Sequence, residues 1–184
     1  MSPQTRIRRI LVAGVGNIFL GDDAFGVEVA QRLLCRPMPE GVCVVDFGIR
    51  GLDLAFALLD GYEAVILVDA MPRGGAPGTV YVLEPELATP ATNQPVAATL
   101  ETHNMDPVRV LQTATALGAP LRRVIIVGCE PEACENGNFA AEMSDPARSA
   151  VHEAIRTIEA LVAQFLDGEG AMNAVIGKGI GDVR

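Results

Sequence analysis

The chain has 184 residues, 49% of them hydrophobic, and a net charge of −9. With no tryptophan and only 4% aromatic residues, it suits one globular domain around an aliphatic core. The negative charge argues against nucleic acid or an anionic membrane surface as partner, and no apolar run approaches the roughly 20 residues of a membrane span.

Residues 1–9 are short, polar and basic, without the apolar centre of a signal peptide, so a cytoplasmic protein is expected. The cysteines are Cys35, Cys43, Cys129 and Cys134, with no C-x-x-C among them. In a reducing compartment they read as small core or surface residues. Cys129 and Cys134 lie among Glu130, Glu132 and Glu135, but their spacing fits none of the common thiolate metal signatures.

Residues 9–15 form an apolar, β-rich run that suits a strand covered on both faces. Gly14, Gly16 and Asn17 relax the backbone for a sharp turn. Val27, Ala30, Leu33 and Leu34 then recur at helical spacing, so a helix is expected over 22–36, stopping before Pro37. Residues 41–47 read as a second strand ending near Asp46, and 52–59 as a short helix stopped by Gly61. Residues 63–69 are apolar up to Asp69, the mark of a central strand.

After the turn cluster at 73–78, residues 79–83 form a fourth strand. The intervening loop has no room for the crossover a parallel neighbour needs, so this strand is expected antiparallel to its predecessor, at an edge. Residues 85–102 are a long polar stretch of the kind that often carries function. A helix is expected from about 104–106 to Leu117, a last strand at 123–129, an acidic loop at 130–143, and a final helix capped by Ser144 or Asp145. Its apolar stripe is Val151, Ile155, Ile158, Val162, Phe165 and Leu166. The whole predicts a three-layer α/β/α sandwich with a five-stranded, mostly parallel sheet and one antiparallel edge strand. The domain spans 1–167, and the glycine-rich residues 168–184 are expected to be a flexible tail.

The strand–glycine turn–helix at the start of the chain suggests a binding site at the strand's C-terminal end. It is a poor phosphate site. Phe19 stands where a dinucleotide fingerprint needs its third glycine, and Asp22 and Asp23 would repel an anion. A cap or a helix-dipole role accounts for one of these acids. Neighbours on a helix point about 100° apart, so the other must face elsewhere. Asp46 and Asp69 sit at further strand ends that a parallel sheet gathers on the same edge. Carboxylates converging in a poorly solvated cleft either take up a proton or hold a cation. His103, where the long loop enters a helix, adds an imidazole. Two carboxylates and a histidine make an open metal site unlike structural zinc, suited to several divalent metals. His152, within the final helix, is expected to be partly exposed and without a special role.

The segments Gly14-Val-Gly-Asn17, Gly21-Asp-Asp23 with Gly26, Val68-Asp-Ala70, Pro77-Gly-Thr79 and His103, in this order, resemble the hydrogenase maturation endopeptidases. These enzymes trim the C-terminal extension from the large subunit of nickel–iron hydrogenases. The resemblance runs from about Ile10 to Leu166. It implies Asp23, Asp69 and His103 as contacts to nickel, with Asp23 and Asp69 as the candidate catalytic acids and Asp22 as the helix cap. It implies Asn17, Asp46, Gly48 and Gly51 as a substrate-facing element. Residues 47–51 depart from the glycine- and threonine-rich turn expected there, which ties them to the choice of large subunit.

The implied substrate is a precursor large subunit that already carries nickel in its active site, so the metal comes with the substrate; another divalent metal is expected to substitute in vitro. The enzyme is expected to act as a monomer, without nucleic acid or membrane. Whether the acids only bind nickel or one also activates water stays open at this level. An acid pair sharing a proton is the rival. The alternative functions are a non-cleaving nickel-sensing or delivery chaperone for the same subunit, and a nucleotide-binding α/β protein, which Phe19 and the acidic entrance disfavour.

Overall fold

A computed structural model describes residues 9–85, 107–132 and 142–167. His103, Cys134, most of the long polar loop and the glycine-rich tail lie outside the described residues. Five strands form one sheet: β1 (Ile10–Val15), β2 (Val42–Gly48), β3 (Ala64–Ala70), β4 (Val80–Leu83) and β5 (Val124–Cys129). Four α-helices accompany them: α1 (Phe25–Leu34), α2 (Gly51–Ala57), α3 (Pro107–Ala116) and α4 (Asp145–Asp167).

The strand order is β2-β1-β3-β5-β4. The β1–β2, β1–β3 and β3–β5 pairs are parallel, and β4 is antiparallel to β5. The expected sandwich with one antiparallel edge strand is therefore present. One detail differs. The hydrogen-bonded partner of β4 is β5, not its predecessor β3, because β5 is inserted between them. The short β3–β4 connection spans that gap, a placement that the loop's length alone did not reveal.

Burial follows strand position. β1 and β5 are buried along their whole length and β3 as far as Asp69, whereas β2 and β4 are partly exposed edges. Alternate strand residues feed two cores, as the two-residue period of a strand requires. Ile10, Val12, Ile66, Val68, Ile125 and Val127 pack under α1 and α4, while Leu11, Ala13, Val65, Leu67 and Ile126 pack under α2 and α3. Burying each large aliphatic side chain contributes roughly 1.5–3 kcal/mol, and this is how the fold is held without tryptophan. On α4, Val151, Ile155, Ile158, Val162 and Phe165 are buried as the periodicity predicts, and His152 is exposed. On α1, Leu34 lies off the stripe and is exposed.

The helix entrance differs from a helix beginning at Asp22. Residues Gly21–Ala24 form a tight 3₁₀ turn, and the α-helix begins only at Phe25. Glycines set this junction. A Cβ at Gly26 would lie 2.0 Å from the Val68 carbonyl oxygen and 2.3 Å from that of Val15. At Gly16, φ is +134° and a Cβ would sit 1.8 Å from the Asp23 carbonyl oxygen. The start of α1 thus rests directly on the carboxyl ends of β1 and β3.

Candidate active site at the sheet switch point

From β1 the chain crosses to β2 on one side, then returns to β3 on the other. The crossovers run over opposite faces, α1 on one and α2 on the other. The carboxyl ends of β1 and β3 therefore flank the point where strand order reverses, which is where ligands bind in open α/β sheets. Asp23 lies on the turn leaving β1, and Asp69 is the penultimate residue of β3. Both acids therefore lie at the carboxyl edge of the sheet, one on the turn leaving β1 and the other at the end of its neighbour β3.

Asp23 is half-buried, and the backbone N–H of Asn17 donates to its Oδ2 at 2.8 Å. Burial raises its pKa from the ordinary 3.8, and the Asn17 bond opposes that rise. The Asn17 side chain is engaged locally, its Oδ1 accepting the Phe19 N–H at 3.0 Å. Asp69 is 6% exposed, paired in register with Gly128 of β5. The apolar strand preceding it delivers a carboxylate into a buried position, as its sequence predicted. Among the described residues, no three or more His, Cys, Asp and Glu side chains gather as a metal-holding group; the third expected ligand, His103, lies outside them.

Asp46 stands one strand further out, opposite Gly14 of β1. Its Oδ2 accepts a hydrogen bond from Gln31 Nε2 at 3.2 Å, which turns it toward α1. By strand alternation Asp69 shares the opposite face, that of Val65 and Leu67. The next turn is tied to the first: Gly48, at φ +53°, offers its carbonyl to the Gly16 N–H at 3.1 Å. Gly51 opens α2. Asn17, Asp46, Gly48 and Gly51 thus sit on the two linked loops after β1 and β2.

The expected cap at Asp22 is corrected. No side chain caps either the 3₁₀ turn or α1. The Asp22 carboxylate accepts instead from the Glu132 N–H at 2.7 Å, the Ser144 N–H at 2.7 Å and the Ser144 hydroxyl at 2.8 Å. These partners are more than a hundred residues away in sequence, so local spacing carried no sign of them. Ser144, not Asp145, caps α4, accepting the Ala147 N–H at 3.3 Å.

Glu130, the first residue of the expected acidic loop, is buried. Its carboxylate accepts the Arg73 and Gly74 N–H groups at 2.8–3.0 Å and the Tyr81 hydroxyl at 2.7 Å. Burial works against its charge, but the bonds from Tyr81, Arg73, Gly75 and Gly74 outweigh it and lower the pKa. Glu130 thus anchors the loop that follows Asp69. The signal for it was present: a carboxylate directly after an apolar strand, the same cue that marked Asp69. Cys129 is not poised as a nucleophile, since burial, with the charges of Asp22 and Glu130, pushes its thiol up to about 12.

The comparisons with known proteins agree with this architecture. The family model HycI, hydrogenase maturation protease, matches residues 27–161. The hydrogenase 2 maturation protease of Escherichia coli is 32% identical, with 69% of this chain and 76% of that protein covered. The hydrogenase expression/formation protein HupD of Rhodobacter capsulatus is 28% identical, over 95% of this chain and 82% of its own. Among solved structures, the hydrogenase maturating endopeptidase HybD of E. coli superposes with a TM-score of 0.65 at 25% identity, covering 85% of this chain and 93% of that one. The HycI protease of Thermococcus kodakarensis superposes with a TM-score of 0.63 at 25% identity, covering 86% and 95%. With the family model matching most of the chain and the same fold in the solved structures, this protein belongs to the hydrogenase maturation proteases.

Proposed function

We propose that this peptidase removes the C-terminal extension of a nickel-loaded hydrogenase large-subunit precursor. In this reading Asp23, Asp69 and His103 contact the nickel that the substrate brings, and the scissile bond is presented beside it. The observation that supports it most is the placement of Asp23 and Asp69 at the ends of the adjacent strands β1 and β3. Two carboxylates at one crevice are matched by a cation, and nickel accepts carboxylate and imidazole donors.

The same acids serve hydrolysis. A carboxylate takes a proton from the attacking water, the water oxygen bonds to the peptide carbonyl carbon, and the proton passes to the departing nitrogen as the C–N bond breaks. Asp23 suits that role by position, on the turn between β1 and α1 beside the end of β3. Selection of the large subunit falls to the loops that border the crevice. They present Ile18, Phe19, Ile49 and Leu52 to solvent, with Phe19 79% and Ile49 65% exposed. The enzyme acts as a monomer in the cytoplasm, where the precursor is met before assembly.

The test is to incubate purified protein with nickel-loaded precursor and weigh the product. A mass loss equal to the extension supports the proposal. Tight binding without mass loss would replace it with a non-cleaving nickel-sensing or delivery chaperone.

A further inference from the structure

Asp22 accepts three hydrogen bonds of 2.7–2.8 Å, and none comes from its own helix. Its donors are the two ends of the β5–α4 connection, Glu132 on one side and Ser144 on the other. Two residues before Glu132, Glu130 holds Arg73 and Gly74 of the loop that follows Asp69. The segment 130–132 is therefore a strut between the turn that carries Asp23 and the loop beyond Asp69. On the opposite side the same turn is seated by Gly16 and Gly26 against the ends of β1 and β3. Asp22 closes the clamp from outside, and its neighbour Asp23 turns instead to the Asn17 N–H of the same turn.

We infer that Asp22 is a positioning residue: by tying its turn to Glu132 and Ser144, it holds Asp23 in register with Asp69. The inference rests on Asp23 being a nickel contact. A charge-assisted carboxylate with three donors is stronger and more directional than a neutral cap. Its loss unties the turn from the β5–α4 connection and leaves it to its local bonds and the glycine contacts. Supports of this kind typically change metal affinity or activity 10- to 100-fold.

The experiment uses the full chain, nickel chloride as probe, and the variants Asp22→Asn, Ser144→Ala, Asp23→Asn and Asp22→Asn/Asp23→Asn. Nickel affinity is measured by titration calorimetry, cleavage on nickel-loaded precursor, and folding by thermal melting. The expected result is a drop of about 10- to 100-fold in nickel affinity and kcat/KM for Asp22→Asn. Ser144→Ala, which removes one of the three donors, gives a smaller drop. In the Asp23→Asn background, Asp22→Asn causes no further drop in nickel affinity, because it acts through Asp23. The inference is overturned if Asp22→Asn lowers only the melting temperature, or lowers nickel affinity equally in the Asp23→Asn background. If Asp23→Asn alone leaves nickel affinity and cleavage at wild-type levels, the reading of the crevice falls and this inference with it.

Discussion

The backbone N–H of Asn17 donates to Asp23 Oδ2 at 2.8 Å, joining residues six apart on the turn that leaves β1. This bond does two things. It fixes the carboxylate against the turn that leaves β1, and it offsets part of the rise in pKa caused by burial.

Asp23→Asn is expected to reduce precursor cleavage by at least about 100-fold, the usual scale for losing a positioned proton-transfer group. Thermal stability at neutral pH is not expected to fall. A carboxyl whose pKa is raised by folding stabilises the fold at pH below its unfolded pKa, and that contribution is lost as pH rises through the folded value. Asparagine keeps an oxygen for the Asn17 N–H without the buried charge. Melting curves of wild type and variant at neutral pH check this, and a lower melting temperature for the variant contradicts it.

Asp69→Asn and His103→Ala are each expected to abolish processing while leaving the circular dichroism spectrum unchanged. Asp69 is the more decisive of the two, because its buried position at the end of β3 offers no substitute carboxylate on the same strand. Normal cleavage by Asp69→Asn removes the crevice as the active site.

Glu130→Gln is expected to cost about 2 kcal/mol in urea unfolding at neutral pH, the scale of a hydrogen bond to a charged group. Glu130 has a lowered pKa in the fold, so its contribution is present above the ordinary value of 4.5 and is lost as pH falls through the folded value. The difference between wild type and variant should therefore shrink in acid below that range. A constant gap across the acid range would assign the effect to packing instead.

Gly26→Ala places a methyl group where the Val68 and Val15 carbonyl oxygens stand, at 2.0 and 2.3 Å. Overpacking of this kind costs about 1–3 kcal/mol. It also lifts the entrance of α1, so cleavage should fall more than the stability loss accounts for. Activity measured well below the melting temperature separates the two effects.

Ile49→Asp and Phe19→Asp alter side chains that lie mostly in solvent. Each is expected to raise KM for the precursor about tenfold, with kcat and melting temperature near wild type, as for a contact made outside the reacting centre. An unchanged KM for both removes these loops from substrate selection.

Much of the fold was legible in the chain itself. The apolar runs at Ile10–Val15 and 64–68 suit strands covered on both faces, and Asp69 directly after the second is buried with it. The stripe of α4 follows from its period. The adjacent acids Asp22 and Asp23 after a glycine turn argue against a phosphate site. Glu130 directly follows the apolar strand β5, the same cue as at Asp69, but the neighbouring Glu132 and Glu135 give its segment the look of a solvated acidic loop.

What the sequence by itself determined, then, is which segments are strands and helices, which faces are apolar, and which acids lie at strand ends. These properties depend on neighbours within a few residues. The tertiary structure alone decided that β5 separates β3 from β4, that Asp46 turns to Gln31, and that Asp22 reaches Glu132 and Ser144 instead of capping its helix. Those partners are distant along the chain, and a carboxylate's choice among donors depends on which backbone N–H groups the packed layers place within about 3 Å of it.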